Sequence, residues 1–123
     1  MTILNQTIEV HEESSTNTVW LYMHGARAQE ISGGRHCFTQ DMLTDVRSYT
    51  RGMVERMEQR EGQADQGLLP HFVMASKADV FNQGGDLDFF ADCIENRRRE
   101  ELLHYARDCV RGSMTPTPAL GWA

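Results

Sequence analysis

Apolar positions follow two different rhythms along this chain, and the change from one to the other marks its elements. Thr2 to Val10 alternates polar and apolar around Ile3, Ile8 and Val10, and Thr18 to Met23 (TVWLYM) is rich in branched and aromatic residues. Both segments predict strands. Polar residues Glu12 to Asn17 between them predict a turn, hence an antiparallel hairpin. Gly25 to His36 holds three glycines and no apolar period, which predicts a loop, after which Thr39 or Asp41 can cap a helix. Met42, Leu43, Val46, Tyr49, Thr50, Met53, Val54 and Met57 then recur every three or four residues, so one amphipathic helix is predicted over Asp41 to Arg60.

The run EGQADQGLLP, Glu61 to Pro70, ends that helix and turns the chain. His71 to Ser76 (HFVMAS) follows as a short apolar stretch of the kind expected of a parallel strand covered on both faces. A strand, helix, strand order results, for which a right-handed crossover is the expected connection. Lys77 to Gly85 predicts a loop. Asp86 or Asp88 can cap a further helix carrying Leu87, Phe90, Cys93 and Ile94. Asn96 to Glu101 (NRRREE) interrupts that stripe before Leu102, Leu103, Tyr105, Ala106, Cys109 and Val110 restore it, so two helices or one bent helix are predicted. Gly112 to Ala123 has two prolines, two glycines and no period and predicts a tail. The fold class is α/β, a ββαβ unit followed by helices.

Composition narrows the function classes. Apolar residues make up 40% and charged residues 24% of the 123 positions, which suits one soluble globular domain. A formal charge of −6 gives no support to binding nucleic acid through phosphate neutralisation. Cys37, Cys93 and Cys109 are odd in number and irregular in spacing, so neither a disulfide framework nor a zinc ribbon is indicated, and a reducing, cytoplasmic setting is expected. The amino terminus lacks the basic start and apolar run of a signal peptide. No stretch approaches the roughly 18 apolar residues of a membrane span.

Candidate chemistry concentrates in HFVMASKADVFNQGGDLDFF, His71 to Phe90, where a strand passes through a loop into a glycine pair and a helix amino terminus. Backbone N–H groups of a first helical turn have no internal partner, and the helix dipole puts partial positive charge there. Gly84 and Gly85 let an oxygen approach that backbone without a side chain in the way. Such an arrangement suits an oxyanion hole.

Phe81, Asn82, Gln83, Gly84, Gly85, Asp86 and Leu87 resemble the first signature of the crotonase, or enoyl-CoA hydratase/isomerase, superfamily. The resemblance extends back through TVWLYMHG and the helix from Asp41, and forward through IENRRREELLHYARDCVRG, where it is nearest to diffusible-signal-factor synthases of bacterial quorum sensing. It implies that residues 1 to 112 form the amino-terminal part of a crotonase-like domain, an incomplete spiral fold, with residues 113 to 123 an irregular tail. It implies acyl-thioester chemistry: dehydration of a 3-hydroxyacyl thioester to a cis-2-enoyl one and release of the fatty acid. The substrate would be carried on coenzyme A or acyl carrier protein, with no further cofactor, and the full-length protein would be a trimer or hexamer. By the same resemblance the N–H of Gly85 binds the thioester carbonyl and Gly84 shapes the turn, while Phe81, Asp86, Leu87 and Phe90 are the implied substrate-binding positions. The family's second glycine-rich signature and its pair of glutamates would lie beyond Ala123, and SMTPTPALGWA does not continue the family pattern, so a truncated chain, a frameshifted gene or a degenerate paralogue, inactive as it stands, is expected.

Each of these residues also has a plain structural role open to it. A Gly-Gly-Asp ahead of a helix is commonly a turn with an Asp cap, and Asp86 and Asp88 read as caps rather than acids. Arg97, Arg98 and Arg99 suit either coenzyme A phosphates and acidic carrier protein or a solvated helix face. His104 and Asp108 can pair along a helix. His24, His36 and His71 show no metal-ligand spacing with the cysteines. Phe89, Phe90, Ile94, Leu102, Leu103 and Tyr105 suit an acyl tunnel or an ordinary core. The alternative function is a non-catalytic crotonase-like module that binds acyl thioesters or partner subunits. In either case a half fold is expected to leave a sheet face or edge uncovered.

Overall fold

A computed structural model describes residues 2 to 4, 7 to 60 and 71 to 113. Their elements are strands β1 (Thr2–Leu4), β2 (Glu9–Glu13) and β3 (Thr18–Met23), helices α1 (Ala26–Ser32) and α2 (Gln40–Arg60), strand β4 (His71–Ser76), and helices α3 (Leu87–Glu95) and α4 (Arg99–Ser113). The mixed α/β class expected from the sequence is found. Among the described residues the strands form one sheet in the order β1-β2-β3-β4, antiparallel except for the parallel pair β3 and β4. The expected turn over residues 61 to 70 and most of the expected tail, residues 114 to 123, lie outside the described residues.

One sheet face meets α2. Ile8, Val10, Val19, Leu21 and Met23 pack with Met42, Val46, Tyr49 and Met53 into a single core, and Phe38, Phe72 and Met74 lie partly buried against it. The helical period read from the sequence therefore lies, from Met42 to Val54, on the buried side of α2. Polar contacts pin the layers together: the Thr7 N–H and hydroxyl both donate to Asp45 Oδ2, at 3.0 and 2.6 Å. Tyr49 donates to Glu12 Oε1 at 2.7 Å. Burial, and after it this bond to Glu12, push the Tyr49 phenol up to about 12.

Three expectations need correction. The predicted first strand, Thr2 to Val10, is two strands that pair with each other, Ile3 opposite Val10, and β2 runs on through the polar residues expected to turn. Those residues stay extended because their side chains find partners. Glu12 accepts from Tyr49 and Arg56, and Glu13 accepts from Thr16 and the Trp20 indole, leaving the turn itself to residues 14 to 17. Asn17 takes the left-handed conformation there, at φ 52°.

The predicted loop Gly25 to His36 contains helix α1. Two turns long and burying only Ala28, it has no apolar stripe to betray it, and its limits are set by Gly25 at the N-cap and Gly33 at the C-cap with φ 68°. Strand β4, expected to be covered on both faces, is partly exposed along its length, with His71 the most exposed. Phe72 and Met74 face α2, whereas Val73 and Ala75 share the other face with the half-exposed Trp20 and Tyr22. The last stripe, expected to be two helices or one bent helix, is two helices. The chain breaks at Arg97, φ 56°, with the Arg98 N–H returned to the Cys93 carbonyl at 2.8 Å.

Candidate functional site

Beyond β4 the loop is drawn toward the segment that follows α1. Ser76 Oγ donates to the Val80 carbonyl at 2.7 Å and accepts the Ala78 N–H at 3.0 Å, which tightens the exit from the strand. Gln83 N–H then donates to the His36 carbonyl at 2.7 Å, and Phe38 N–H donates to the Gly84 carbonyl at 2.8 Å. Phe38 and Gly85 stand as a short parallel bridge. The glycine pair is thus backbone-bonded on one side, and its free edge faces away from Phe38.

Three consecutive amides of this turn have different fates. Gly84 N–H donates to its near neighbour Asn82 Oδ1 at 2.7 Å. Asp86 N–H donates to the Tyr105 hydroxyl at 2.8 Å, and that hydroxyl donates in turn to the Phe38 carbonyl. Between them, the half-buried Gly85 has no partner for its N–H among the described residues. Gly84 sits at φ 95°, a conformation that side-chain-bearing residues rarely adopt. Gly84→Ala should therefore cost about 1–3 kcal/mol, read as a drop in the urea midpoint; a variant as stable as the parent would mean that the turn is not held in this conformation.

Gly85 needs to be small for another reason. A Cβ there would lie 2.7 Å from Cζ of Phe90, so the Phe90 ring occupies the space that a side chain would need. Phe89 and Phe90 both pack on Tyr105, with ring centroids 5.1 and 5.5 Å away. Tyr105 itself is 1% exposed, and burial pushes its phenol well above the ordinary tyrosine value.

Asp86 is the N-cap of α3. Its Oδ1 accepts the Phe89 N–H at 3.2 Å and Arg35 Nη1 at 2.7 Å, and the same guanidinium lies 3.5 Å from Asp88 Oδ2. The cap role expected for Asp86 is present, and it changes the electrostatics of the turn. The positive end of the helix is already answered by the protein's own carboxylate, so a full anion would meet Asp86 and Asp88 as well as the free amide. A neutral carbonyl that gains charge only partway is better suited to the place.

The other residues singled out in the sequence are scattered by comparison. Phe81 and Leu87 flank the turn and are 58% and 73% exposed. Leu102 and Leu103 are half-buried, but Ile94 is 69% exposed, so the six residues that suit an acyl tunnel do not line one space together. Arg98 pairs with Asp92 and Glu101, and Arg99 with Glu100, all on the surface. His104 does pair with Asp108, at 3.2 Å, and Asp108 also takes Arg47 from α2 at 2.6 Å.

Sequence reasoning missed Arg35 and His24 as parts of this turn, and gave Asn82 no role beyond its place in the signature. His24 Nε2 lies 3.3 Å from Asn82 Nδ2, and His36 meets the His24 ring edge-on at 5.3 Å. The three cysteines have free thiols; burial pushes that of Cys37 above its ordinary value. Among the described residues no cluster of His, Cys, Asp and Glu could hold a metal ion, and no helix is long and apolar enough to cross a membrane. Compared with known proteins, the chain is matched by no family model and by no curated protein.

Proposed function

We propose that this chain handles acyl thioesters in the manner of the crotonases, with the Gly85 N–H donating to the thioester carbonyl. One observation carries the reading: the Gly85 N–H has no partner among the described residues, whereas the amides of Gly84 and Asp86 on either side of it are both tied down. A donor held in place before its acceptor arrives costs little reorganisation when charge builds on that acceptor, which is the requirement for stabilising an enolate-like oxygen beside a thioester. The carboxylates of Asp86 and Asp88, offset only in part by the one guanidinium of Arg35 that they share, disfavour a permanently charged ligand at the same spot, and the exposed side chains of Phe81 and Leu87 offer apolar surface beside it. The reading assigns carbonyl binding and polarisation to this chain. It assigns no acid or base to any described residue.

Titrating the ¹⁵N-labelled chain with butyryl-coenzyme A tests it, with free coenzyme A as the control. The Gly85 amide resonance is expected to move downfield with the thioester and to stay in place with coenzyme A alone. A Gly85 resonance indifferent to the thioester would falsify the proposal. Movement without turnover in a hydratase assay would favour the non-catalytic binding module over the enzyme.

A further inference from the structure

His24 lies at the end of β3 in a conformation few residues of its kind adopt. Its φ is 60°, its side chain is buried at 2% exposure, and its carbonyl is held by Gln29 Nε2 at 3.2 Å. Left-handed backbone at a residue other than glycine persists only where the surroundings impose it, and such positions repay a search for function. Here the conformation sends the imidazole beneath the loop that carries the glycine pair, where Nε2 meets Asn82.

Asn82 leaves little choice about protons. Its Oδ1 accepts the Gly84 N–H at 2.7 Å, which fixes the orientation of the amide, and its Nδ2 therefore points at His24 Nε2. An amide NH2 can only donate, so Nε2 must be the acceptor and the ring is the neutral tautomer with its proton on Nδ1. A second ring proton would set donor against donor. Asn82 would then have to turn over, taking Oδ1 away from Gly84.

We propose that His24 is a positioning residue for the glycine turn: uncharged, it holds Asn82, which holds Gly84 and so presents the Gly85 N–H; protonated, it releases that chain of bonds. The functional meaning rests on the reading of Gly85 as a carbonyl donor, but the coupling itself does not. Apart from the Phe81 backbone, whose hydrogen bond to the ring favours the charged form, the groups around His24 agree with a neutral ring. The loop after α1 contributes His36, α1 contributes the uncharged Gln29 to the His24 carbonyl, and the β4 loop contributes Asn82, whose Nδ2 also reaches Met23 Sδ at 3.6 Å. The carboxylate of Glu9 reaches Gly25, the next residue in the chain, and is answered by Lys77 at 3.8 Å. Burial, and after it His36, hold the His24 imidazole below its ordinary value. The sign follows: a histidine depressed in the folded state contributes stability that is complete above the ordinary histidine pKa and is lost as pH falls below it.

The test is a titration of the ¹⁵N-labelled 123-residue chain from about pH 8 to about pH 5, the span over which an imidazole ordinarily changes charge. The Gly84 and Gly85 amide resonances are expected to shift with the midpoint of the His24 ring, below that of an unperturbed histidine. His24→Gln, which keeps an acceptor, should hold the neutral-pH positions of both amides and lose their pH response. His24→Leu, which keeps none, should displace them at every pH. Glycine amides that stay still while His24 titrates would overturn the proposal. So would amides that follow His36 instead, or Gln and Leu variants that behave alike. Should the variants not fold, the titration of the unaltered chain decides alone. Butyryl-coenzyme A separates the two readings. Coupled amides with no response to the thioester leave His24 as the positioning residue and remove the thioester. An equal thioester response at both ends of the pH range does the reverse.

Discussion

Tyr105→Ala is expected to destabilise the chain by about 3–5 kcal/mol, the range for removing a buried aromatic ring. The residue is 1% exposed, and Phe89 and Phe90 both rest on its ring. Its hydroxyl also does what no other group in the turn does, accepting the Asp86 N–H while donating to the Phe38 carbonyl. Tyr105→Phe separates the two contributions, because it keeps the ring and orphans both backbone groups, at a cost of about 1–3 kcal/mol. Urea denaturation of the two variants beside the parent measures the split. Equal losses for Ala and Phe would mean that the ring packs against nothing of consequence. No loss for Phe would mean that Asp86 and Phe38 find other partners.

Leu21→Ala should cost a comparable amount, about 2–5 kcal/mol, for a different reason. Leu21 has no exposed surface and sits on β3, with β2 on one side and β4 on the other, facing α2. Neighbours on two strands and a helix cannot all close around a shortened side chain, so a cavity remains. Against a total stability of roughly 5–15 kcal/mol for a domain, such a loss removes a substantial fraction of what keeps the chain folded. The check is the thermal midpoint together with its dependence on protein concentration. A change below about 1 kcal/mol would show that this face of the sheet collapses freely rather than packing closely.

The two variants also mark how far the sequence carries. Elements with a strong period, above all α2 and β3, were readable because burial imposes the period and leaves its trace in residue type. β4 was readable as a strand but not as a half-exposed one, since HFVMAS looks the same whether one face or two are covered. Helix α1 left no trace because it buries almost nothing, and what defines it is the glycine at each end. At the candidate site, Gly84, Gly85 and Asp86 lie in consecutive positions, so a local motif could find them. Arg35, His24, Tyr105 and Phe38 reach the same turn from 51, 58, 19 and 67 positions away from their bonded partners, and no local pattern encodes such meetings. The sequence also placed apolar residues on α3 without telling which of them face inward. Ile94 faces out, while Phe90 lies over Gly85.

Those same separations govern when the turn can exist during folding. Its bonds join segments that meet only after β3, α2 and β4 have been laid beside one another, and each closure of a long loop is entropically costly until the contacts it permits are made. The Gly84–Gly85 turn is therefore assembled late. It also depends on a few polar contacts rather than on the main apolar core, which places it among the parts of the molecule that open first under partial unfolding. An encounter with a ligand at Gly85 would then stabilise chiefly the last-formed portion of the fold, lowering the opening of this turn more than the unfolding of the sheet behind it.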